Sequence, residues 1–207
     1  MNSQSVLLIF AKAPVAGQVK TRLISDVGEQ RATELYKEFL TITLETAEQA
    51  SFSEIQLWVS GDINHPYIKY LKNTFHMTLH KQKGNDLGER MSCAFDSAFA
   101  IYSNAVLIGS DCPSLLSSDL NTAVDYLENE KDVVLGPAED GGYYLIGMKK
   151  NKPELFLDVN WGKKTVFSET CALIEKNNLN LGVLEKRADI DRVSDLDSYF
   201  KMKNQLA

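Results

Sequence analysis

Cysteine and proline are scarce in this chain, at three and five among 207 residues. Cys93, Cys112 and Cys171 are odd in number and far apart, with no CxxC or CxxH spacing, which excludes a disulfide framework and a zinc ribbon. Long hydrophobic runs are absent too. The longest, Val6–Ala11, has six residues, where about 20 are needed to cross a bilayer. Lys12 ends that run and no basic segment precedes it, so it does not read as a secretion signal. The expectation is a reduced, cytoplasmic protein with no membrane partner. An excess of positive charge is also missing, because 22 basic residues face 28 acidic ones for a net charge of −6. A field of that sign repels a polyanion, which excludes general nucleic-acid binding. Any phosphate must therefore meet a local basic cluster.

What the chain has is a regular alternation. Apolar strand-like runs at Val6–Phe10, Ile55–Ser60, Met77–Lys81, Ala105–Gly109, Asp132–Leu135, Tyr143–Met148 and Leu181–Lys186 are separated by helical spacing. Helices are expected from a Ser25 or Asp26 cap to about Ala50, over Ile63–Phe75 and Gly88–Tyr102, from Ser117 or Ser118 to Glu128, over Lys163–Asn177, and over Ser194–Lys203. Hydrophobic residues at 44% and charged residues at 24% are ordinary for a globular chain, and no repeat or linker divides it. The pattern predicts a single α/β domain over 1–207, with a mostly parallel central sheet and helices on both faces.

Ligands of such sheets gather outside the carboxyl ends of the strands. The loop after the first strand, AKAPVAGQVKTRL, carries Lys12, Lys20 and Arg22 with Gly17 and no acid. Lysine as a point charge and arginine as a two-pronged donor suit a polyphosphate, although a solvated basic loop has the same composition. Neither GxxxxGK[ST] nor GxGxxG is present. After the fourth strand, IGSDCPSL places Asp111 where a carboxylate needs a partner, either a hard cation shared with phosphates or a turn that it caps. LGPAEDGGYYL offers Glu139 and Asp140 to a sugar hydroxyl, a base or a metal. Gly141 and Gly142 there allow close backbone approach, and Tyr143 follows. The same Asp-Gly-Gly is a strong turn signal. Asp189 and Asp191 lie two apart on an extended segment, hence on one face, as surface acids or a second metal ligand. NDLGER borders a site or caps a helix. His76 and His80, four apart on a strand, are poor joint ligands. Trp161 belongs to the cleft or to an exposed loop. Cys112 has no histidine near it in sequence to activate a thiolate.

Taken in order, KAPVAGQVKTRL, GNDLGERM, LIGSDCPSL and LGPAEDGGYYLIGM resemble the bacterial radical-SAM/selenodomain-associated transferase family, over about Val6 to Leu196. That resemblance implies a Rossmann-like GT-A fold of the nucleotide-diphospho-sugar transferases, binding a nucleotide and Mg²⁺ or Mn²⁺. It implies that Asp111 is the metal aspartate and that Lys12, Gly17, Lys20 and Arg22 form the nucleotide loop. Asp191 is implied as the second ligand, with Asp189 as the alternate. The glycine-rich first loop of sugar nucleotidyltransferases and a DxD signature are both missing. The expected function is a metal-dependent glycosyl- or nucleotidyltransferase, with Asp111, Lys20 and Arg22 catalytic. Asp140, Gly141, Gly142 and Tyr143 are expected to meet substrate, with a small-molecule acceptor. The alternatives are a non-catalytic nucleotide or sugar-phosphate sensor and a Cys112-dependent hydrolase.

Overall fold

The structure is a computed structural model and describes residues 4–196 and 199–200. Strand β1 (Ser5–Lys12) is apolar from Val6 to Ala11 because both its faces are covered. Leu7, Ile9 and Ala11 enter one hydrophobic cluster, and Val6, Leu8 and Phe10 enter the other. β2 (Glu54–Ser60) and β3 (Thr78–Lys81) lie to one side of β1, and β4 (Asn104–Gly109) lies to the other. β5 (Val133–Pro137), β6 (Tyr143–Met148) and β7 (Leu181–Val183) complete a seven-stranded sheet in the order β3-β2-β1-β4-β6-β5-β7. β6 alone runs antiparallel to its neighbours β4 and β5, because it returns from β5 by a hairpin rather than a helical crossover.

Helices cover both faces. α1 (Ile24–Glu48), α2 (Pro66–Thr74) and α4 (Ser117–Glu128) bury Leu40, Leu44, Leu71 and Leu127 against one face of the sheet. α3 (Leu87–Phe99) and α5 (Val166–Lys176) bury Phe95 and Ile174 against the other. This is the expected mostly parallel α/β sheet. The second flank of α1, Leu35 and Phe39, packs with Ile190, Leu196 and Tyr199 in a third cluster. That packing ties the end of the chain to the start. Among the described residues no helix is long and apolar enough to cross a membrane.

Several boundaries differ from the sequence reading for local reasons. Neither Ser25 nor Asp26 caps α1, whose N-cap is Leu23 at the end of a short 3-10 turn over Thr21–Leu23. Ser25 Oγ instead bonds Asp26 Oδ2 at 2.9 Å. α4 is capped at Leu116, whose N–H reaches Asp119 Oδ2 at 3.0 Å, so Ser117 and Ser118 already lie inside it. Pro66 at the first turn starts α2, and His65 Nδ1 accepts the N–H of Tyr67 at 3.2 Å. The last strand stops at Val183, although the chain keeps company with β5 through Leu184 N–H to Leu135 O at 2.9 Å. The terminal helix is seen at residues 193–196 and 199–200, and the rest of the expected Ser194–Lys203 lies outside the described residues.

Candidate active site

From β1 the chain goes to β2 on one side and later to β4 on the other, so a crevice opens beyond the carboxyl ends of β1 and β4. The buried Tyr36 of α1 joins those two ends. Its Oη accepts from Lys12 N at 2.7 Å and donates to Lys12 O at 3.1 Å, and Ser110 Oγ lies 3.4 Å away. Burial pushes that hydroxyl well above the usual tyrosine range, so it stays a neutral donor. Lys12 then leaves β1 exposed at the crevice.

Lys20 arrives by a different route. The loop is pinned by Ala13 N–H to Ser60 O at 2.9 Å and by the buried Val19. It ends at Lys20, in the left-handed region at φ 47°. The ammonium contacts Asp111 Oδ1 at 2.8 Å and Ile190 O at 2.5 Å, and it lies 5.5 Å from the Phe39 ring centroid. Arg22 is exposed and its guanidinium pairs with Asp191. Asp111 O accepts from Ile190 N at 3.0 Å, which brings the segment before the last helix across the exit of β4.

Two cavities meet here. The first, about 540 Å³, is lined by Lys12, Lys20, Arg22, Asp111 and Asp191. The second, about 600 Å³, is lined by Glu139, Asp140, Asp189, Lys164 and Arg192, and shares Arg22, Gly162 and Asp191 with the first. Five of the residues expected at the site, from three separate stretches of the sequence, thus line the first cavity. Other residues are placed differently. Lys20 is not a free cation, since its side chain is 2% exposed. Gly17 lines neither cavity and sits at φ 78° over the Glu29 carboxyl. Gly141 and Gly142 shape a turn in which Gly142 N–H bonds Asp140 Oδ1 at 2.7 Å, so Asp140 is partly spent on its own loop. Tyr143 turns its hydroxyl into the interior beside Thr170, and its ring packs edge-on to Trp161, with centroids 6.5 Å apart. It lines neither cavity.

Gln82 also lines the first cavity and belongs to no motif singled out in the sequence. Gln82 Nε2 spans the ends of β1 and β2, bonding Ala11 O at 3.1 Å and Trp58 O at 2.9 Å. Its position just after β3 was the available signal. NDLGER does both things expected of it: Asp86 caps α3 through Glu89 N–H at 2.8 Å, and Leu87 and Arg90 border the cavity. Cys112 is buried, its thiol is pushed up to about 11 by that burial, and it lies 3.4 Å from Ala188 O. A neutral, hydrogen-bonded thiol is a poor nucleophile. His80 stacks on Trp58 with centroids 4.7 Å apart, in keeping with a packing role.

Among the described residues no group of three or more His, Cys, Asp or Glu side chains could hold a metal on its own. The donors at hand are Asp111 and Asp191, on the wall of one cavity. Two carboxylates completed by substrate phosphates and water suit Mg²⁺ or Mn²⁺. Each already has a cationic neighbour, Lys20 at Asp111 and Arg22 at Asp191. The neighbouring Asp189 carboxyl is pushed up to about 6, first by burial and then by Asp140 and Asp191. As hard oxygen donors the Asp111 and Asp191 carboxylates fit such an ion.

Known structures share this architecture. A candidate nucleotide-diphospho-sugar transferase from Desulfovibrio desulfuricans G20 is 34% identical, with a TM-score of 0.88 over 97% of this chain and 87% of that one. A CMP:2-keto-3-deoxy-manno-octonic acid synthetase complexed with CTP shares the fold at 11% identity and a TM-score of 0.66, covering 99% of this chain and 100% of its own. Rv0371c from Mycobacterium tuberculosis H37Rv, in complex with manganese, does so at 14% identity and a TM-score of 0.60, covering 96% and 99%. No curated protein matches. Residues 43–163 match the family described as uncharacterized protein conserved in bacteria (DUF2064), and the chain belongs to that family, with a nucleotide-diphospho-sugar transferase fold.

Proposed function

We propose that this protein is a metal-dependent transferase whose donor is a nucleotide sugar or a nucleoside triphosphate. The observation that carries the reading is the meeting of Arg22, Lys12, Asp111 and Asp191 on one cavity of about 540 Å³ at the carboxyl ends of β1 and β4. Pockets for nucleotide-sized ligands fall in that range. The structural relatives described as a nucleotide-sugar transferase candidate and as a CTP complex support it. The reading includes one domain and a reducing, cytoplasmic setting, supported by the free thiols of Cys93, Cys112 and Cys171.

Glycosyl and nucleotidyl transfer both build negative charge on phosphate oxygens as the bond to the leaving group breaks. The exposed Arg22 guanidinium can bind two of those oxygens at once, and Lys12 adds a second charge from the end of β1. A divalent ion held by Asp111 and Asp191 would supply further neutralisation of the same oxygens. The acceptor would occupy the adjoining cavity, where Glu139, Asp140, Asp189, Asp191 and Asp195 outnumber Arg22, Lys164 and Arg192. That balance disfavours a second phosphate and favours hydroxyl or ammonium groups, which carboxylates can accept from.

The test is a thermal-shift screen of nucleoside triphosphates and nucleotide sugars with Mn²⁺, Mg²⁺ or EDTA. A ligand at 100 times its dissociation constant adds about 2.7 kcal/mol, which raises the midpoint of a domain this size by roughly 5–10 °C. A metal-dependent shift with a triphosphate supports nucleotidyl transfer, and one with a nucleotide sugar supports glycosyl transfer. No shift with either removes the donor reading. A saturable shift without turnover over a broad acceptor panel leaves a binding protein.

A further inference from the structure

Lys20 is built into the protein as its neighbours in the crevice are not. Its backbone holds φ 47° and ψ 42°, a conformation that a residue with a side chain keeps only where its surroundings demand it. Its side chain is 2% exposed, against 57% for Arg22. An ammonium has three N–H donors, and here one meets Asp111 Oδ1 at 2.8 Å and another meets Ile190 O at 2.5 Å. The Phe39 ring, 5.5 Å from Nζ to its centroid, closes a further side. The two oxygen partners come from separate parts of the chain. Asp111 follows β4, and Ile190 precedes Asp191. The same seam is crossed by Ile190 N–H to Asp111 O at 3.0 Å and by Ser114 Oγ–H to Ala188 O at 2.9 Å. Of these contacts only the ammonium reaches the Asp111 carboxylate itself. A buried cation with this many fixed acceptors is costly to withdraw toward a ligand.

We propose that Lys20 is a positioning residue and not a phosphate ligand: its ammonium holds the Asp111 carboxylate and the 188–191 segment that carries Asp191 in one arrangement, leaving Arg22 and Lys12 to meet the donor phosphates. The assignment rests on the reading of Asp111 and Asp191 as the pair shared with a divalent ion. It separates two jobs that the basic loop's composition merges. The exposed cations bind, and the buried one keeps the two carboxylates in register from below.

The wild-type protein provides the first test. It is treated with an amine-acetylating reagent in EDTA, with and without millimolar inorganic pyrophosphate, and mapped by mass spectrometry. The expected result is an unmodified Lys20 in both samples, with Lys12 acetylated in the free protein and protected in the sample with pyrophosphate. Acetylation of Lys20 in the free protein with protection by pyrophosphate would overturn the proposal. The second test compares Lys20→Met with Arg22→Met. Lys20→Met should speed hydrogen exchange of the 188–191 amides by roughly tenfold, since a local brace is lost. Its pyrophosphate affinity in EDTA should stay within about twofold of wild type, whereas Arg22→Met, which removes a bidentate donor, should lower it by roughly tenfold. Equal losses of affinity in the two variants would make Lys20 a phosphate ligand. Wild-type protein that binds no pyrophosphate would count against the phosphate reading of the crevice alone. The brace would fall separately, if exchange in Lys20→Met matched wild type.

Discussion

Single residues carry conformations in this protein that their side-chain chemistry alone does not announce. Gly141 sits at φ 94°, and a Cβ built there would lie 2.2 Å from Lys164 O. Its carbonyl also accepts Phe167 N–H at 2.9 Å, so this one position holds the β5–β6 turn against the entry to α5. Gly141→Ala should therefore destabilise the protein by about 2–4 kcal/mol, from the positive φ and the forced backbone shift together. Urea denaturation measures it, and a change below about 0.5 kcal/mol, the size of an ordinary surface substitution, would refute the close approach. The Asp-Gly-Gly triplet was legible as a turn. What its second residue packs against was not, because Lys164 is brought there by the fold.

At the scale of elements, α1 shows how a helical pattern conceals a break. Its apolar residues keep helical spacing from Ala32 through Ala47, yet Gly28 holds φ 80° and ψ 160° near its start. Apart from its chain neighbours and the nearby backbone of its own helix, nothing lies within 4 Å of where a Gly28 Cβ would be, so packing is no obstacle to a side chain. Two effects then compete in Gly28→Ala. Alanine favours a helix over glycine by about 1 kcal/mol. The backbone at Gly28 lies in a region nearly reserved for glycine, which costs a side chain about 1–3 kcal/mol. The strain should win and the variant should lose about 1 kcal/mol in urea denaturation. A stabilised variant would mean that α1 runs unbroken from Ile24. The capping residues of α1 and α4 were misassigned for a related reason. Serines near a start are common, and the structure uses the Asp119 carboxylate and a preceding 3-10 turn instead.

For the whole molecule, the end of the sheet opposite the crevice carries its own polar tie. Glu54, at the start of β2, accepts from Thr78 Oγ1 of β3 at 2.5 Å and from the Tyr102 hydroxyl before β4. Burial works to raise its carboxyl, but the bonds from Thr78, Tyr102 and Gln56 and the charge of His80 outweigh it and hold the carboxyl below the ordinary 4.5. The sign follows from linkage. A carboxyl lowered in the folded state adds stability above its unfolded value, and that addition is lost as pH falls through the folded value. Wild type should thus exceed Glu54→Gln in stability from neutral pH down to about 4.5, and the gap should shrink on further acidification. Urea midpoints over that range check it. A gap that stays constant into acid would show that the charge of Glu54 plays no part.

The sequence by itself determined the layers and the loops. Both faces of β1 are covered, so its apolar run had to be continuous, and alternation of such runs with helical spacing is the pattern of a mostly parallel sheet. The loops after β1 and β4 open on the crevice because it lies beyond the carboxyl ends of those strands, and Lys12, Arg22 and Asp111, legible in those loops, line it. The tertiary structure alone decided the strand order, the reversed direction of β6, the arrival of Asp191 beside Arg22, and the burial of Lys20. The contacts behind them span 37 to 43 residues for β6 on β4, 99 for β1 on β4, and 169 and 170 for Arg22 and Lys20 on the segment at Ile190 and Asp191, which local spacing does not encode. Lys20 shows the difference most plainly. In a basic loop it is one more cation, and only Ile190 and Asp111, folded over it, make it a brace.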